Sequence, residues 1–119
     1  MITGVHTMFY SSDAAGLRAF IRDKLGFRAT DVGDGWLIFD LAEADMGVHP
    51  ADATDEEGAL SGTHDISFYC DNIYQTVDEL KSKAVVFKGE IEDRGYGFVT
   101  YFKVPGDFYV QLYQPKYKK

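Results

Sequence analysis

The sequence predicts an α+β domain of two βαβββ modules, forming a curved, cup-like mixed sheet with helices on the outside. Three observations carry this. The segment His6-Thr-Met-Phe-Tyr-Ser-Ser-Asp13 returns as His64-Asp-Ile-Ser-Phe-Tyr-Cys-Asp71, 58 positions later. Each copy alternates as a strand does and runs into an amphipathic helical stretch. Short strand-like runs broken by Gly, Pro and Asp turns then follow in both halves.

In the first half, residues 4–10 put His6, Met8 and Tyr10 on one face and Val5, Thr7 and Phe9 on the other. Ser12 and Asp13 are capping types, and Leu17, Phe20, Ile21 and Leu25 form one helical stripe. Gly26 stands where a helix ends in the left-handed conformation, whereas Gly16 is an unfavourable residue inside a helix. Strands are predicted at 27–32, 36–41 and 45–49, with the turn Gly33-Asp34-Gly35 after the first. In the second half, a strand at 64–70 leads to a cap at Asp71. Ile73, Val77 and Leu80 follow on one helical face, and Lys81 and Lys83 suit the helix C-terminus. Strands are predicted at 85–88, 97–104 and 108–114, with Pro105-Gly106-Asp107 as the last turn. The chain thus divides into a first module at 1–50, a polar, acidic linker at 51–62 and a second module at 63–119, all within one domain at 1–119.

Composition narrows the function classes. A chain of 119 residues that is 45% hydrophobic can build its own core. A net charge of −7 argues against nucleic acid and anionic membranes as partners. No run reaches the roughly 20 apolar residues of a membrane span, and no leader pattern is visible. One cysteine, Cys70, rules out an intrachain disulfide, and a reducing cytoplasm is expected. Cys70 itself reads as a small core residue.

On the alternation, His6 and His64 face a common hollow. Val110 and Leu112 fit the helix side, which leaves Tyr109, Gln111 and Tyr113 toward the cup. The same argument turns Gly47 and His49 inward. His6, His64 and Gln111 form a candidate metal set, with His49 as a further ligand or as a proton-transferring group. The competing reading makes each histidine a hydrogen-bonded pocket residue. Tyr10, Phe68, Phe98, Phe102, Tyr109 and Tyr113 are candidates for an aromatic substrate wall, against the alternative that each packs in the core.

These segments resemble the vicinal oxygen chelate superfamily of glyoxalases, bleomycin-resistance proteins and extradiol dioxygenases. The resemblance lies in His6 to Asp13, Phe20 to Phe27, His64 to Ile73, and Pro105-Gly106-Asp107-Phe108-Tyr109-Val110-Gln111-Leu112. It implies that His6 and His64 stand at the two histidine-ligand positions and Gln111 where the family carries a carboxylate. Gly47 or His49 falls near the fourth ligand position of glyoxalase I, and no glutamate takes a cup-facing ligand position, a departure from that enzyme. The resemblance also implies a homodimer and a divalent ion (Fe, Mn, Ni, Co or Zn).

Two functions follow as expectations. The first is a metal-dependent lyase, isomerase or dioxygenase acting on vicinal oxygens, with His49 or a cup tyrosine moving the proton. The second is a metal-free protein that binds a small aromatic or cationic compound.

Overall fold

The computed structural model describes residues 1, 6–51 and 59–118. Most of the expected linker, and the first two residues of the expected strand 4–10, lie outside the described residues. The architecture is α+β. In chain order the elements are α1 (Ala14–Asp23), β1 (Ala29–Asp31), β2 (Leu37–Phe39), β3 (Ser67–Tyr69), α2 (Ile73–Ser82), β4 (Phe87–Asp93), β5 (Gly97–Val104) and β6 (Phe108–Pro115). β1 and β2 form an antiparallel ribbon, while the other strands form one sheet in the order β3-β6-β5-β4. β3 runs parallel to β6, and the remaining pairs are antiparallel. The second module is therefore a complete βαβββ unit. The expected strands at 4–10 and 45–49 carry no ladder among the described residues. Alternation fixes the faces a segment offers; a ladder also needs a partner edge.

The helices form where capping and periodicity direct. The Asp13 side chain accepts the Gly16 amide at 3.0 Å and caps α1. A Cβ on Gly16 would lie 2.2 Å from that carboxylate, which accounts for a glycine inside the first turn. Gly26 closes the helix at φ 77°. α2 is capped by Asn72, not by Asp71 as expected; its side chain accepts the Gln75 amide at 3.1 Å.

This cap resets the internal repeat. The N-caps, first residues, last residues and C-caps of the two helices all stand 59 positions apart, not 58. The C-caps meet reciprocally: Lys24 Nζ donates to the Lys83 carbonyl at 2.5 Å, and Lys83 Nζ donates to the Lys24 carbonyl at 3.3 Å.

The main hydrophobic cluster lies on one face of the four-stranded sheet, and Val99 is buried on the other. Thr100 pairs with Leu112, Phe102 with Val110, and Val104 with Phe108, so these side chains share that face. Both helices pack there, through Leu17 and Ile21 of α1 and Ile73, Val77 and Leu80 of α2. Phe102 is fully buried, 6.2 Å from the Phe20 ring and 6.0 Å from Phe87. Among the described residues, no helix is long and apolar enough to cross a membrane.

The turn between β5 and β6 ties the N-terminal segment to the sheet. Ser11 Oγ donates to the Pro105 carbonyl at 2.8 Å. Gly106 has φ 103°, and a Cβ there would lie 2.1 Å from Ser11 Oγ. Gly106→Ala should therefore cost about 1–3 kcal/mol of unfolding free energy, because it adds left-handed strain to a lost packing contact. Urea unfolding followed by circular dichroism will measure it, and Ser11→Ala combined with Gly106→Ala should recover part of the loss by relieving the clash.

Candidate functional site

The sheet face away from the helices carries the polar aromatic groups. Register places Tyr101 opposite Gln111, Val99 opposite Tyr113, and Lys103 opposite Tyr109. The parallel pair adds Ser67 beside Gln111 and Tyr69 beside Tyr113. Side chains at such partnered positions project to the same side. Tyr109, Gln111 and Tyr113 thus stand on the face that their alternation predicts.

Gln111 sits in a hydrogen-bonded row across the strands. Ser67 Oγ donates to Gln111 Oε1 at 2.9 Å, and Gln111 Nε2 donates to the Tyr101 hydroxyl at 3.0 Å. Arg94 lies 5.8 Å from the centre of the Tyr101 ring, and Lys88 Nζ lies 5.3 Å from that of Tyr109.

Two clefts open beside this face. One, of about 220 Å³, is lined by residues 7–10, by His64, Asp65 and Ile66, and by residues 108–110. It brings together three sequence candidates, Tyr10, His64 and Tyr109. The other, of about 400 Å³, is lined by Asp45, Met46, Gly47, Tyr96, Tyr113 and Tyr117. Here the hydroxyls of Tyr113 and Tyr117 are hydrogen-bonded at 2.6 Å. The rings of Tyr69 and Tyr113 meet edge-on at 5.9 Å, and the Tyr69 hydroxyl donates to the Glu43 carboxylate.

The other expected site residues are placed elsewhere. Phe68, Phe98 and Phe102 share the helix-side face, because they pair with Leu112, Gln114 and Val110. Phe68 packs against Phe9 and Phe27, Phe98 against Tyr74 of α2, and Phe102 in the core. These three correct the expectation of a phenylalanine-lined cup; register overrides it. His49 is exposed in the segment before Pro50, with Nδ1 2.9 Å from the Pro50 carbonyl. His6 is exposed, and neither it nor Gln111 lines the cleft that holds His64. At the 59-residue spacing the counterpart of His6 is Asp65 and that of Tyr10 is Tyr69. Among the described residues, no three His, Cys, Asp or Glu side chains gather as a metal-holding group. The Gln111 amide is engaged by Ser67 and Tyr101, and His6, His64 and Gln111 do not line one cleft, so this arrangement does not present them as a three-ligand cation site.

Sequence reasoning missed Ser67, Tyr69, Tyr96, Tyr101 and Tyr117. For Ser67, Tyr69 and Tyr101 the available signal was parity along strands 64–70 and 97–104. For Tyr96 and Tyr117 no local signal existed.

Two of the tyrosines, Tyr69 and Tyr113, have phenols raised above their ordinary value. The hydrogen bond to Glu43, then burial, then the Glu43 and Asp45 charges push the Tyr69 phenol up to about 12. Tyr113 is raised further, by burial first and then by its bond to Tyr117. Burial also raises the Cys70 thiol, whose Sγ contacts the Tyr113 carbonyl at 3.7 Å.

The sign follows from linkage. A phenol raised on folding lends stability that is whole below its ordinary value of 10.0 and is lost as pH climbs toward 12. In a spectrophotometric titration of tyrosinate, one group in the wild type should ionise near 12. Glu43→Gln should move that group back toward 10, and an unchanged curve would refute the assignment.

A sequence profile of the Glyoxalase/Bleomycin resistance protein/Dioxygenase superfamily matches residues 4–112. None of the curated proteins compared with the chain matches it. Among solved structures, an antibiotic binding protein from a Streptomyces species is similar at TM-score 0.64 and 17% identity, covering 98% of this chain and 100% of that one. A lactoylglutathione lyase from Agrobacterium tumefaciens is similar at TM-score 0.63 and 17% identity, covering 91% and 90%. An integron cassette protein from V. cholerae gives TM-score 0.56 at 14% identity, covering 96% and 98%. At these identities the likeness is one of fold.

Proposed function

The chain belongs to the Glyoxalase/Bleomycin resistance protein/Dioxygenase superfamily, and we propose that within it the protein binds a small molecule without a metal ion, on the tyrosine face of its sheet. The observation that carries this reading is Gln111. A carboxylate at this position would attract a dication. The neutral amide is instead spanned by Ser67 at 2.9 Å and Tyr101 at 3.0 Å. The face around it offers phenols and rings, which suit an organic ligand that needs both hydrogen bonds and stacking.

A ligand specific for the native state raises its stability, by about 2.7 kcal/mol at a hundredfold excess over Kd. In a thermal-shift screen of small aromatic, amine and dicarbonyl compounds, the expected result is stabilisation by a subset, unaltered by EDTA. Added Ni²⁺, Co²⁺, Mn²⁺, Fe²⁺ or Zn²⁺ should leave Tm unchanged. A metal recovered in stoichiometric amount from purified protein, and lost from His6→Ala and His64→Ala, would overturn this reading in favour of the lyase, isomerase or dioxygenase type.

The active unit in this reading is a homodimer. The β1–β2 ribbon is a pair of three-residue strands, and a two-stranded ribbon is marginal in water. Trp36, Ile38 and Leu41, in the second strand or within two residues of it, are exposed at 36–50%. Apolar surface gathered in this way marks an association face, and a second copy of the chain would cover it. Sedimentation equilibrium should give twice the chain mass, with Ile38→Glu shifting the protein toward monomer.

A further inference from the structure

We propose that the cleft between residues 45–47 and the Tyr96–Tyr113–Tyr117 cluster is a site for a small organic cation, an alkylammonium or quaternary ammonium group. This deepens the binding reading above and rests on it.

The lining has the chemistry of a cation cage. Three of its six residues are tyrosines, one is a carboxylate and none is basic. A tyrosine ring attracts an ammonium group placed over its face, and more strongly when water is partly excluded. The volume of about 400 Å³ lies in the range of small-molecule pockets.

The local field has the right sign. The Asp45 charge acts on both Tyr69 and Tyr113, which places its carboxylate within electrostatic reach of both rings. Glu43 adds a second negative group, bound to the Tyr69 hydroxyl. Lys116, next to the end of β6, is turned to Asp93, with Nζ 2.7 and 2.8 Å from the two carboxylate oxygens.

The cations among the described residues use other rings. Among the described residues, cation–π contacts go to Trp36, Tyr109, Tyr101 and Phe98. Among the described residues, none of these contacts goes to Tyr96, Tyr113 or Tyr117. The hydrogen bond between Tyr113 and Tyr117 holds two of these rings in fixed relation before a ligand arrives, which lowers the entropic cost of binding.

The test compares choline with its uncharged isostere, 3,3-dimethyl-1-butanol, by titration into ¹⁵N-labelled protein. Choline should move the amides of Gly47, Tyr96 and Tyr113 saturably, and the alcohol should not at the same concentration. Asp45→Asn and Tyr117→Ala should each weaken choline about fivefold, the equivalent of about 1 kcal/mol. Tyr117→Phe keeps the ring and should keep most of the affinity, which separates a ring contribution from a merely structural hydroxyl. Equal response to choline and the alcohol, or an Asp45→Asn variant that binds choline as the wild type does, would overturn the cation site. If ligands from the thermal-shift screen bind while choline moves no amide of this cleft, the cation site falls and the broader binding reading stands.

Discussion

The one-sidedness of the β5–β6 hairpin is the constraint from which the rest follows. Antiparallel pairing locks Phe102 to Val110 and Thr100 to Leu112, so a row that is apolar but for Thr100 faces both helices. Burial of each such side chain contributes about 1.5–3 kcal/mol. A slip of one residue would exchange this row for Tyr101, Lys103, Tyr109 and Gln111 and lose most of the core. The hydrophobic demand on one face therefore fixes the polar composition of the other. The tyrosine face is what remains once the core has taken its residues, and that makes it available for recognition.

The same parity governs the internal repeat. Similarity between the two histidine segments suggests a spacing of 58, but the helices repeat at 59 because Asn72, not Asp71, caps α2. One residue decides which face a side chain meets. Phe9 and Phe68 become equivalents and their rings stand 6.5 Å apart on the core side. His64 is displaced from the counterpart position of His6, and Asp65 takes it. The reciprocal Lys24 and Lys83 bonds, between C-caps 59 positions apart, follow the same pseudosymmetry.

Gln111 links fold to function. In the middle of β6, a side chain on the open face has neighbours on both flanking strands, Ser67 and Tyr101. An amide can accept from one and donate to the other, which a carboxylate cannot do while ionised. The glutamine thus ties three strands together, and fold alone does not assign function. The proposed dimer and the proposed cation cleft both use surfaces outside this row: the ribbon with its exposed apolar groups, and the segment carrying Glu43 and Asp45.

The sequence by itself determined the α+β class, the superfamily, the helix stripes of Leu17 and Ile21 and of Ile73, Val77 and Leu80, the turns at Gly26 and Gly106, and the open-face positions of Tyr109, Gln111 and Tyr113. These are local properties. They depend on a period of 3.6 or 2, on a cap, or on a positive φ, each encoded within a few residues. The tertiary structure alone decided that Phe68, Phe98 and Phe102 belong to the core, that Glu43 meets Tyr69 from 26 positions away, and that Tyr96 and Tyr117 close a cleft with Asp45. Such meetings depend on strand register and on the path of a segment without ladder bonds. No periodicity within either partner specifies the distance between them.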